Sequence, residues 1–144
     1  MLKEGTILLF TPFKFLDGSA PKDKFFIVLK SNAQNNILAS LPTSKDYIPA
    51  NFDKDNGCIE IPTARINCFV FGTDKVITTC GKYFKKKTFV HGTLLNEYSK
   101  EYLIKTYPKQ GKDFKIFGEM KKDLFNDLKK CLKNSDSVKR KFIK

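Results

Sequence analysis

Lys24 and the paired hydroxyls Thr43 and Ser44 are the side chains best placed for chemistry, because each stands where a short apolar run begins or ends. Lys24 opens Phe25-Phe26-Ile27-Val28-Leu29, and Thr43-Ser44 follows Leu38-Ala39-Ser40-Leu41-Pro42. A cation beside strand-end hydroxyls makes a small phosphate site, since the charge attracts the anion and the hydroxyls donate to its oxygens. The polar loop carrying Asp17-Gly18-Ser19 can form a wall of that site. The arrangement suggests RNA as a ligand.

The charge balance agrees. The chain has 144 residues and a formal net charge of +12, a field that draws polyanions. The excess is uneven: residues 1–108 hold 15 Lys or Arg against 10 Asp or Glu, and residues 109–144 hold 12 against 5. The last quarter is therefore an electrostatic element in its own right. With 41% hydrophobic residues and 14 Phe, the chain can bury a core without staples. Its four cysteines, at 58, 68, 80 and 131, show no CxxC spacing, and one His does not complete a zinc set. Free buried thiols in a reduced, cytoplasmic setting are the simplest expectation. No apolar run is long enough to span a bilayer, and no metal or other cofactor is expected.

Residues 6–10 and 25–29 read as buried strands, joined by a long loop from Thr11 to Asp23. A polar turn at 32–36 leads to a third strand at 37–41, stopped by Pro42. Asp55-Asn56-Gly57 is a strong turn signal, after which 58–61, 68–71 and 75–79 resume strand character. Leu94, Leu95, Tyr98, Tyr102 and Leu103 then recur at helical spacing, so a helix is predicted over 93–107 with Thr93 as N-cap and Pro108 as stop. Residues 109–118 read as a linker or an extra extended segment. A second, amphipathic helix is predicted over 119–134 from Met120, Leu124, Leu128 and Leu132. The expected fold is mainly β with C-terminal helices: a small barrel or strongly bent sheet over 1–108, and a basic helical extension over 109–144.

In these residues the chain resembles the PemK/MazF-like toxins, through Gly5-Thr6-Ile7-Leu8-Leu9-Phe10, the Asp17-Gly18-Ser19 loop, Phe26-Ile27-Val28-Leu29 and Leu41-Pro42-Thr43-Ser44. The likeness continues more loosely through Ile59-Glu60-Ile61-Pro62-Thr63-Ala64-Arg65-Ile66 and covers roughly the first 107 residues. The resemblance implies an SH3-like barrel closed by a helix, and a homodimeric, metal-independent endoribonuclease that cuts single-stranded RNA and is silenced by an antitoxin protein. It assigns phosphate contact to Lys24, which stands where the family commonly has an Arg, and to Thr43, and it matches Arg65 to a family Arg. Catalysis is accordingly expected at Lys24, Thr43 and Arg65, and RNA binding at Asp17, Ser19, Ser44, Lys85, Lys86 and Lys87.

Metal-free RNA cleavage needs a base for the ribose 2′-hydroxyl proton, cations for the phosphorane and an acid for the leaving oxygen. Lys24 and Arg65 can supply charge, and Asp17, Asp23 and Glu60 are the nearest carboxylates. Each residue also has a structural reading: Lys24 as a solvated strand-edge lysine, Thr43-Ser44 as a turn cap, Asp17-Gly18 as a turn. The stretch Lys82-Tyr83-Phe84-Lys85-Lys86-Lys87-Thr88-Phe89 alternates cations with rings, as single-strand binders do. Its rings can equally face the core while its lysines face water. His91 is expected to be packed or capping rather than catalytic. A non-catalytic SH3-like module that binds RNA or a protein partner is the rival reading, and a DNA-associated protein acting through its basic tail is a third.

Overall fold

A computed structural model describes residues 3–43, 48–52, 54–73 and 75–142. Among the described residues, eight strands form two antiparallel sheets. β1 (Thr6–Phe13), β2 (Lys22–Ser31), β3 (Asn35–Ser40), β7 (Leu95–Ser99) and β8 (Phe114–Glu119) make a five-stranded sheet in the order β7-β3-β2-β1-β8. β4 (Gly57–Ile61), β5 (Ile66–Phe71) and β6 (Thr88–His91) make a three-stranded sheet in sequence order. The α-helices among the described residues are α1 (Lys100–Thr106) and α2 (Lys122–Lys133). Among the described residues, no helix is long and apolar enough to cross a membrane.

The continuous apolar runs of β1 and β2 follow from burial on both faces, with alternate residues entering different cores. Ile7, Ile27, Leu29 and Ala39 face the three-stranded sheet and α2, together with Phe69, Phe71, Val90 and Leu128. Leu8, Phe10, Phe26, Val28 and Leu38 face the opposite way, against Leu103 and Tyr107 from α1 and its C-cap. The outer face of the three-stranded sheet has its own small core, Ile48 with Ile59, Ile61, Cys68, Val70 and Phe89. His91 lies buried in β6 with its ring stacked near Phe89 at 5.9 Å. The Asp55-Asn56-Gly57 turn forms as its residues suggest, with Gly57 at φ 102° and Asn56 Oδ1 accepting from the Gly72 amide.

Several boundaries differ from the sequence reading. The helix expected over 93–107 is confined to 100–106: Gly92–Leu94 is a 3-10 turn and Leu95–Ser99 is β7, paired with β3. Leu95 and Tyr98 enter opposite cores, and three residues apart in a strand is the spacing that sends them there. Ser99, not Thr93, is the N-cap, its hydroxyl accepting from the Tyr102 amide. The expected strand at 75–79 reduces to a bridge between Thr78 and Met120, because the Thr78 hydroxyl and the Lys82 carbonyl close a tight turn there. β6 was not foreseen. The loop between β1 and β2 is residues 14–21, shorter than the expected 11–23, since β1 runs on to Phe13 and β2 starts at Lys22.

The basic C-terminal quarter is bonded into the same structure. β8 pairs with β1 along Leu8↔Ile116 and Phe10↔Phe114, and α2 buries Leu124, Leu128, Cys131 and Leu132 in the core between the sheets. The expectation of free buried thiols fails for two of the four cysteines: Cys58 on β4 and Cys131 on α2 form a disulfide, while Cys68 and Cys80 are not in disulfides. Proximity in the fold, invisible to a search for local CxxC spacing, brings the pair together. Beside it, Asn67 Nδ2 donates to Glu60 Oε1 and to the Cys131 carbonyl, each at 3.0 Å, joining β5 to β4 and α2.

Closing 73 residues of chain restricts the unfolded state by about 4 kcal/mol. Reduction, or Cys58→Ser with Cys131→Ser, is therefore expected to lower the melting temperature markedly in calorimetry. Gly92 is packed so closely that an added Cβ would collide with Asn67 Oδ1 and Val138 Cγ2. Gly92→Ala is expected to cost about 1–3 kcal/mol in denaturant unfolding through that collision, whereas Gly18→Ala meets no neighbouring atom and is strained only by its φ of 84°.

Candidate nucleic-acid interface

The end of the five-stranded sheet where β2 begins and β3 ends holds the candidate site. Lys22 and Lys24 lie two apart on β2, opposite Phe13 and Phe10 of β1, and so project to the same side of the sheet. Phe15, on the loop after β1, is placed beside both: their ammonium groups lie 5.9 and 5.7 Å from its ring centroid. That loop is tied down by the Lys14 amide, which donates to the Tyr107 hydroxyl at 2.8 Å.

β3 delivers its hydroxyl through backbone bonds. The Leu41 amide donates to the Phe25 carbonyl at 3.0 Å, and the Phe89 amide donates to the Pro42 carbonyl at 2.9 Å. Pro42 is thus held between the two sheets, and the exposed Thr43 follows it at the rim. The result is an open recess of about 550 Å³ lined by Leu9, Lys22, Asp23, Lys24, Phe25, Leu41, Pro42 and Thr43. Lys24 and Thr43, nineteen residues apart in sequence, both line this cavity.

The recess is electrostatically incomplete. Its lining holds two lysines and one carboxylate, an excess positive charge that a phosphodiester would neutralise. Lys24 is half-buried, and burial, followed by the neighbouring Lys22 charge, pulls its pKa below the usual lysine value. A lysine in that state gives up its proton more readily than a solvated one, which suits a general acid.

The other expected site residues divide sharply. Asp17 is a turn former: its carboxylate accepts from the Ser19 amide at 2.9 Å and from the Ser19 hydroxyl at 2.6 Å. Those bonds lower its pKa and engage Ser19 at the same time, so the two residues shape the loop. Arg65 is exposed in the turn between β4 and β5, with φ 53°. Thr88, next to the docked Pro42, pairs with Phe71 at one end of β5, whereas Arg65 precedes Ile66 at the other end. That strand spans about 17 Å, and Arg65 does not line the recess. Ser44 lies outside the described residues.

Of the lysine run, Lys85 and Lys86 are exposed, while Lys87 is half-buried and faces Asp55 at 3.8 Å. Of the three carboxylates considered as a base, Asp23 lines the recess, Asp17 is engaged with Ser19, and Glu60 accepts from Asn67 beside the disulfide. Sequence reasoning missed Lys22 and Phe15. The alternation Lys22-Asp23-Lys24 at the start of an apolar strand was the available signal for Lys22. No local pattern signals Phe15, whose role depends on how the loop folds back. The chain matches no family model and no curated protein.

Proposed function

We propose that the protein binds single-stranded RNA, with a ribose–phosphate link held in the recess between Lys22, Lys24 and Thr43, and that it cleaves that link without metal, as a PemK/MazF-like endoribonuclease would. The observation that carries the reading is the meeting of Lys24 and Thr43 in one cationic cavity. In this reading the two sheets correspond to an SH3-like barrel, the protein acts as a cytoplasmic homodimer, and an antitoxin protein silences it. The Cys58–Cys131 disulfide weighs against the cytoplasm, since such bonds persist where the surroundings are oxidising.

The chemistry uses residues of the recess alone. Asp23 takes the 2′-hydroxyl proton as that oxygen attacks phosphorus. Lys22 and Lys24 neutralise the phosphorane oxygens, and Thr43 donates to one of them. Lys24 then protonates the departing 5′-oxygen, leaving a 2′,3′-cyclic phosphate.

A second reading, RNA binding without cleavage, is favoured by a separate observation. Of the three residues expected to be catalytic, Arg65 lies at the far end of β5, so the assembled group is smaller than expected.

Purified protein is expected to cut unstructured RNA in EDTA, leaving cyclic phosphate ends. Lys24→Ala should slow cleavage by roughly 100-fold and Thr43→Ala by about tenfold, with melting temperatures nearly unchanged. Intact RNA that still shifts in a salt-sensitive gel would select the binding-only reading. No RNA binding at low salt would end both.

Affinity should also fall with rising pH. The cationic form of Lys24 binds phosphate, and its lowered pKa means the charge is lost at a pH below that of an ordinary lysine. Titrations with a non-cleavable 2′-deoxy oligonucleotide should show this fall, and Lys24→Arg should remove it.

A further inference from the structure

The loop before β6 presents an aromatic ring to solvent, next in sequence to a ring that packs on the recess wall. Tyr83 is 52% exposed, while its neighbour Phe84 is turned inward at 6%. Phe84 stacks on Phe117 with ring centroids 5.5 Å apart and planes 9° from parallel. Its edge meets Phe25 at 5.5 Å, and Phe25 is a wall of the recess. Tyr83 is therefore one residue from a ring that packs on a wall of the cavity, a Cα separation of about 3.8 Å along the chain.

Both flanks of Tyr83 are held. The Lys82 amide donates to the Thr78 hydroxyl at 2.8 Å, and the Lys82 carbonyl accepts from the Ile77 and Thr78 amides. The Lys82 ammonium lies over the Phe117 ring at 5.0 Å. On the other side Phe84 is the buried anchor, and the Lys86 carbonyl accepts from the Thr88 hydroxyl at 2.8 Å. An exposed ring on so fixed a backbone loses little freedom when something stacks on it. Lys85 and Lys86 follow at once, exposed and cationic.

We propose that Tyr83 is a base-stacking platform for single-stranded RNA. The nucleotide adjoining the phosphate held in the recess lays its base on the Tyr83 ring, and Lys85 and Lys86 receive the next phosphate. The inference rests on RNA binding in the recess, and it adds a subsite on a different element. It also divides the mixed aromatic and lysine run by role, with Phe84 and Phe89 structural, Tyr83 for stacking, and Lys85 and Lys86 for the backbone. A stacked π-face is common to all four bases, so the platform selects unpaired strands rather than a sequence.

The test uses an unstructured oligoribonucleotide carrying 2-aminopurine, with anisotropy for affinity and fluorescence for stacking. Tyr83→Ala should weaken binding roughly 5- to 100-fold and abolish the quenching that wild type produces, while Tyr83→Phe retains both. An abasic nucleotide at the quenched position should bring wild type down to the affinity of Tyr83→Ala. Wild-type affinity and quenching in Tyr83→Ala, alongside weakened binding by Lys24→Ala, would overturn the platform and leave the recess standing. Equal affinity of wild type for duplex RNA would also overturn it. No binding by wild type at low salt would remove the recess and the platform together.

Discussion

The central pair of strands, β1 and β2, is buried on both faces, and that constraint orders the molecule. Alternate side chains enter two different cores, one shared with the three-stranded sheet and α2, the other with α1. Each fully buried Ile, Leu, Val or Phe contributes about 1.5–3 kcal/mol, so slipping either strand by one residue would exchange two sets of well-packed side chains. The register is thereby fixed. Polar and charged residues are admitted only where the strands emerge. Lys22, Asp23 and Lys24 occupy such a place at the start of β2, and Thr43 occupies the matching place after β3.

Beyond the shared hydrophobic core, the second sheet is tied to its neighbours by unlike devices. Pro42 accepts from the Phe89 amide across the gap, the Cys58–Cys131 disulfide fastens β4 to α2, and Asn67 bridges Glu60 and the α2 backbone. Asn67 donates from one amide nitrogen to two oxygen acceptors, while its buried oxygen has no hydrogen-bond partner among the described residues. Such a group costs roughly 1–3 kcal/mol, a strain consistent with a position chosen for joining elements rather than for stability alone. The close packing of Gly92 against the same oxygen belongs to this junction. The recess keeps its own tie between the sheets, the bond from the Phe89 amide to the Pro42 carbonyl.

Charge and aromaticity meet around the recess. Lys22 and Lys24 stand over Phe15, Lys82 over Phe117, and Phe117 is linked through Phe84 to Phe25. Rings beneath ammonium groups hold the cations in place without neutralising them, as a carboxylate partner would. The positive field is thus left available at a rim whose floor is apolar, a combination suited to a ligand with both phosphates and bases.

Much of this was legible in the residues. The apolar runs at 6–10, 25–29, 37–41, 58–61 and 68–71 contain their own strand signal, and the Leu124, Leu128 and Leu132 spacing contains that of α2. The pairing of Lys24 with Thr43 was also foreseeable, since both lie at the ends of apolar runs. What the sequence did not contain was the partner of each element. Leu95 and Tyr98 fit a helix until β3 offers an edge to bond, and Lys75–Thr79 reads as a strand until the Thr78 and Lys82 turn closes it. Composition and local pattern determined a β-rich, strongly basic chain with a cation and a hydroxyl at strand ends. Only the tertiary structure decided that Cys58 would meet Cys131 and that Arg65 would stand a strand's length away. Those outcomes depend on contacts between distant segments, and hydrogen bonds and packing across such separations leave no mark on neighbouring residues.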